Sequence, residues 1–169
     1  VTGMPEVRAG DDLAALVATG VRALGHTFDE GDVVVVSSKV ASKALGLIAS
    51  DRESAVAAAT VRVVAERALP DGRVTRVVES ASGPVMAAAG VDASNTGASD
   101  SVLVLPTYPD EVCASLLAAL QRGFGVTRLG VVLSDTSGRP WREGQVDFAL
   151  GAAGLSVLDD LRGALDADG

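Results

Sequence analysis

Apolar and polar positions along this 169-residue chain alternate between two regimes, short unbroken runs of valine and leucine and longer stretches in which apolar residues recur every three or four positions. Asp11 and Asp12 precede Leu13, Leu16, Val17, Val21 and Leu24, and Gly25 follows, a spacing that predicts an amphipathic helix with an acidic start and a glycine stop. The Asp-Glu-Gly-Asp segment at 29–32 then turns into a strand predicted at 33–36. After Asp51-Arg52-Glu53 the positions Val56, Val61, Val64 and Ala65 carry a helical period on to Leu69, where Pro70-Asp71-Gly72 ends it. Further strands are predicted at 74–78, 102–105 and 129–133. A helix is predicted after Pro109-Asp110-Glu111, whose acids suit the positive end of a helix. Valine and leucine strands alternating with amphipathic helices indicate an α/β domain, a sheet with flanking helices. The connection from Val78 to Val102 has no evident helix, which allows a mixed sheet. The Gly-Ala-Ala-Gly segment at 151–154 reads as a close-packing or turn element.

Composition narrows the picture. The length suits one compact domain, and aromatics at 3% against 48% apolar residues mean a core of valine, leucine and alanine. No apolar run approaches the ~20 residues of a membrane span, and no charged-then-apolar leader opens the sequence, so a soluble, cytoplasmic protein without a membrane partner is expected. The net charge of -8 argues against nonspecific nucleic-acid binding. Cys113 excludes an internal disulfide and falls in the apolar pattern of Val112, Leu116, Leu117 and Leu120, so it reads as a core residue. His26, with no second histidine or nearby cysteine, reads as a turn or surface residue.

The basic residues are unevenly dealt: twelve arginines but only Lys39 and Lys43, four positions apart, within Ser37-Ser38-Lys39-Val40-Ala41-Ser42-Lys43. Small hydroxyls and lysines directly after a strand can cradle phosphate. The segment lacks the Gly-x-x-x-x-Gly-Lys frame of a P-loop, and a capped helix with two exposed lysines is the competing reading. A second candidate is Gly90-Val91-Asp92-Ala93-Ser94-Asn95-Thr96-Gly97, where Asp92 and Asn95 lie on a tight turn, alternatively a simple Asx turn. The third runs from Leu129 to Gln145. Here Asp135 and Thr136 follow a buried strand, at the edge where open α/β sheets place ligand crevices, and Arg139 and Arg142 flank Trp141 as anion contacts. With Asp92 these give two acids and a hydroxyl for a hard divalent cation. The alternative is a type I turn at Asp-Thr-Ser-Gly with Trp141 as a core plug.

Taken together, Met4-Pro5-Glu6-Val7, Gly31 to Lys39, Ser42-Lys43-Ala44, Gly90 to Asn95 and Asp135 to Gln145 resemble, in order and spacing across the chain, the γ-glutamyl ligase family of deazaflavin coenzyme F420 biosynthesis. The resemblance implies the α/β fold of that ligase, and a GTP-dependent addition of L-glutamate to coenzyme F420-0 through an acyl phosphate, releasing GDP and phosphate. It implies GTP contacts at Met4, Pro5, Glu6, Val7, Ser38, Lys43 and Asn95, and magnesium or manganese on Asp92, Asp135 and Thr136, with potassium as a further cation. Arg139 and Arg142 are added to the catalytic set from their chemistry alone. Where the family has an aromatic after Asp-Thr this chain has Ser137, and where it has asparagine this chain has Ala88. The resemblance further implies a homodimer, a fused nitroreductase-like flavin domain in some relatives, and a C-terminal portion beyond the single ligase-like domain at 1–169. An inactive nucleotide-binding or metal-binding fragment of the same fold, or a metal-dependent phosphohydrolase using Asp92 and Asp135, stand as alternatives.

Overall fold

The computed structural model describes residues 3–72, 74–93, 101–138 and 143–165. In chain order the elements are α1 (Leu13–Ala23), β1 (Val33–Ser37), α2 (Ser38–Ala44), β2 (Ile48–Ala49), α3 (Arg52–Ala59), β3 (Thr60–Ala68), β4 (Val74–Ser80), β5 (Val85–Ala87), β6 (Val102–Leu103), α4 (Pro109–Phe124), β7 (Gly130–Gly138) and β8 (Gln145–Ala153). The strands form a mixed sheet β1-β7-β8, a pair β2-β6 and an antiparallel sheet β3-β4-β5. β1 runs parallel to β7, and β7 antiparallel to β8. The α/β class and the mixed sheet with flanking helices are therefore as the sequence pattern predicts.

Local chemistry explains the main boundaries. Asp12 caps α1 by accepting the Ala15 N–H at 3.0 Å, and Asp51 caps α3 by accepting the Ser54 N–H at 2.7 Å. Pro109 stands in the first turn of α4, where its missing N–H costs nothing, and Gly125 ends that helix in the left-handed region. Val17 and Val21 of α1 and Cys113, Leu116 and Leu120 of α4 bury against Val36, Val131 and Leu133 of the β1-β7 pair. Each fully buried leucine here is worth about 1.5–3 kcal/mol of transfer free energy. Phe28 and Phe124 close one end of this core edge to face, with ring centroids 4.6 Å apart.

Two expectations are corrected. The helix expected from Asp51 to Leu69 stops at Ala59, and Thr60–Ala68 is a strand paired with β4. Thr60, Val61, Val63 and Val64 are β-branched and pack better on a pleated ribbon than on a helix. The pairing slips between Thr60 and Arg62 and again between Val63 and Ala65, so the strand lacks a clean two-residue alternation and imitates a helical one. The strand expected at 129–133 runs instead from Gly130 through Asp135 and Thr136 to Gly138, because β8, which the pattern did not predict, pairs with it from Val131 to Gly138.

Connections near the sheet edge are held tightly. Ala88, Ala89 and Gly90 all have positive φ, at 50, 54 and 75 degrees, a conformation costing alanine about 1–2 kcal/mol. The Ser80 hydroxyl donates to the Ala89 carbonyl at 3.2 Å, and Asp92 exchanges backbone hydrogen bonds with Leu103 at 3.0 and 2.8 Å. These contacts fix the direction in which Asp92 leaves the turn.

Candidate functional site

Parallel pairing puts Ser37, the last residue of β1, beside Ser134, so the chain turns into α2 next to Asp135. Ser38, 1% exposed, donates its hydroxyl to Asp135 Oδ1 at 2.9 Å. One helical step on, Lys39 Nζ lies 2.8 Å from Asp92 Oδ2. One turn further, the buried Ser42 hydroxyl donates to the Val104 carbonyl at 2.7 Å, pinning α2 to the segment after β6. Ser38, Lys39, Ser42, Gly90, Asp92 and Asp135 line one small crevice. The fold thus brings together three sequence-distant segments, the lysine segment, the Asp92 turn and the β7 strand.

Gly90 is needed for this approach. A Cβ there would stand 2.3 Å from Leu105 Cδ1, in addition to the strain of its positive φ.

The second lysine faces the amino-terminal arm. Lys43 Nζ pairs with Glu6 Oε1, and the lysine's hydrogen bond and charge hold the Glu6 carboxyl below its ordinary range. Val7 is buried, and the Gly10 N–H donates to the Ala44 carbonyl at 2.9 Å, so Met4 to Val7 run beside α2. The arm and Lys43 are thus held together.

Thr136 stands apart from Asp135. Successive side chains of a strand point to opposite faces, and the Thr136 hydroxyl donates to Asp147 Oδ1 of β8 at 2.5 Å. Its hydroxyl therefore does not share the crevice with the Asp135 carboxylate; only its main chain runs beside it. Asp147 was not singled out from the sequence, and the signal for it would have been the alternation of Val146, Phe148 and Leu150 around it. Asn95, Arg139, Trp141 and Arg142 lie outside the described residues.

Chemically, the crevice offers two carboxylates, one polarised by a buried hydroxyl and one by an ammonium. Among the described residues no three His, Cys, Asp or Glu side chains converge on one point. Two carboxylates suit magnesium or manganese, which keep the remaining positions for water and phosphate oxygens. Cys113 plays no part: it is 1% exposed in the core, and burial pushes its thiol up. Among the described residues no helix is long and apolar enough to cross a membrane.

Residues 3–169 match the family described as F420-0:Gamma-glutamyl ligase. The protein named Coenzyme F420:L-glutamate ligase of Halobacterium salinarum (strain R1) is 41% identical over 190 aligned residues, covering 100% of this chain and 71% of the relative. The proteins of the same name from Methanopyrus kandleri and Methanothermobacter thermautotrophicus are 38% and 35% identical, covering 97% and 100% of this chain and 69% and 73% of their own lengths. With its whole described sheet and the lysine, Asp92 and Asp135 segments inside the matched region, the chain belongs to the F420-0:γ-glutamyl ligase family.

Proposed function

We propose that the chain joins L-glutamate to coenzyme F420-0 at the expense of GTP, with the reaction centred on the crevice between α2, the Asp92 turn and β7. The observation that carries this reading is the convergence of Asp92 and Asp135, on separate segments, with Ser38 and Lys39 between them. A bound magnesium or manganese ion would neutralise phosphate charge as it develops. Asp92 and Asp135 would hold it, with Thr136 contributing through its main chain.

The chain's own residues divide the remaining work. Met4 to Val7, Ser38, Lys43 and Asn95 bind and orient GTP, and the Lys43 ammonium, anchored by Glu6, is positioned to meet phosphate. A carboxylate oxygen of F420-0 then attacks the γ-phosphorus, GDP leaves, and an acyl phosphate forms. The glutamate amine attacks the acyl carbon, an amide forms, phosphate leaves, and the amine gives up a proton. Arg139 and Arg142, which follow β7 in the sequence, are assigned to these anions from the charge and bidentate chemistry of arginine.

Incubation with GTP, manganese, L-glutamate and F420-0, followed by mass spectrometry, tests the reading. Glutamate-dependent extension of F420-0 with release of GDP is expected. GTP loss without extension would favour a phosphohydrolase, and nucleotide binding without either would favour an inactive relative.

A further inference from the structure

Against the strained turn that delivers Asp92 lies a far larger groove of about 1130 Å³. Val56 and Ala57 of α3 and Val63 of β3 give it apolar lining, Arg52 and Arg76 line it together with Glu53 and Glu66, and Ala88 is its contribution from the turn that leads to the crevice. Arg76 is held in place by Glu66 at 2.7 Å. The volume lies a little above the ~300–1,000 Å³ typical of small-molecule sites, and apolar walls with a few charged groups are the usual make-up of such sites.

The groove and the crevice lie close together along the chain. Ala88 lines the first and Gly90 the second, so at most about 7 Å of extended chain separates them. One elongated molecule can occupy both. The two left-handed alanines at this junction are backbone strain of the kind that clusters where ligands are gripped.

We infer that the groove holds the planar deazaflavin end of F420-0, whose carboxylate tail crosses the Ala88–Gly90 turn to reach the crevice. This rests on the ligase reading above and adds where the larger substrate is recognised. The faces of the flat ring system pack against Val56, Ala57 and Val63, and the anionic linker behind it meets Arg52, while Arg76 is already paired with Glu66. Neither arginine comes from the crevice, so recognition of the ring is separable from binding of the metal and GTP.

Fluorescence titration of F420-0, without glutamate so that nothing turns over, tests the assignment. Ala57→Trp places an indole in the groove from an exposed position that the fold tolerates, and Arg52→Glu reverses the charge at that position. Ala57→Trp should weaken F420-0 binding by about tenfold or more and Arg52→Glu by roughly three- to tenfold, while manganese–GTP affinity stays within about twofold in both. Unchanged F420-0 affinity in both variants overturns the groove assignment. Failure of the unaltered chain to bind F420-0 at all overturns the ligase reading instead.

Discussion

Replacing Asp135 by asparagine is expected to lower manganese affinity and the rate of glutamate addition by about 100-fold, with little change in thermal stability. Asparagine keeps an oxygen that can accept the Ser38 hydroxyl, now 2.9 Å from the carboxylate, so the β7 edge and the start of α2 retain their link. What disappears is one of the two carboxylate charges that the described residues bring to the crevice. Lys39 already balances Asp92 at 2.8 Å, whereas Asp135 is met by the neutral Ser38 hydroxyl. Manganese titration by electron paramagnetic resonance reads the effect directly. An unchanged manganese affinity would remove Asp135 from the metal site.

The largest expected effect on stability is at Gly154. Its φ is +74 degrees, and a Cβ there would lie 2.2 Å from the Leu129 carbonyl oxygen, which is backbone and has no rotamer to move. Leu129 is 2% exposed in the main core, so any shift propagates into the packing of β7 against α4. Left-handed strain of about 1–2 kcal/mol and overpacking of about 1–3 kcal/mol together give a loss on the order of 3 kcal/mol for Gly154→Ala. For a chain of this size that is a fall in Tm of roughly 6–12 °C. Calorimetry showing a shift under about 2 °C would contradict the packing described.

That glycine also shows how far the sequence could be read. The Gly-Ala-Ala-Gly segment was legible as a close-packing element, and Gly151 and Gly154 both lie against backbone of neighbouring segments. Its membership of a strand was not legible, because glycine and alanine carry no β preference and the partner strand had been read as ending at Leu133. The same omission hid Asp147, whose role exists only through its register opposite Thr136. On α3 the failure was of the opposite kind: apolar positions at a helical interval fitted a doubly bulged strand equally well, and β-branching at Thr60 to Val64 decided the outcome.

The candidate site was legible as separate segments rather than as an arrangement. Ser38, Lys39, Asp92 and Asp135 stood out because hydroxyls and the chain's only lysines follow one valine-rich strand, an acid ends another, and Asp92 lies in a glycine-flanked turn. Their convergence depends on the parallel pairing of β1 with β7 and on the bridge from Asp92 to Leu103, neither of which the chain's pattern encodes locally. The opposite facing of Asp135 and Thr136 follows from strand pleating once β7 is known to continue. The groove beside Ala88 could not be anticipated, since it is bounded by the very segment that had been taken for helix.

The central claim, ligation through an acyl phosphate formed at this crevice, is tested most directly by carrying heavy oxygen in the reacting carboxylate of F420-0 and analysing the inorganic phosphate released. The account predicts that each glutamate joined transfers one labelled oxygen from the carboxylate to phosphate, and that Asp135→Asn slows extension and label transfer in step. Glutamate addition that releases unlabelled phosphate would contradict it.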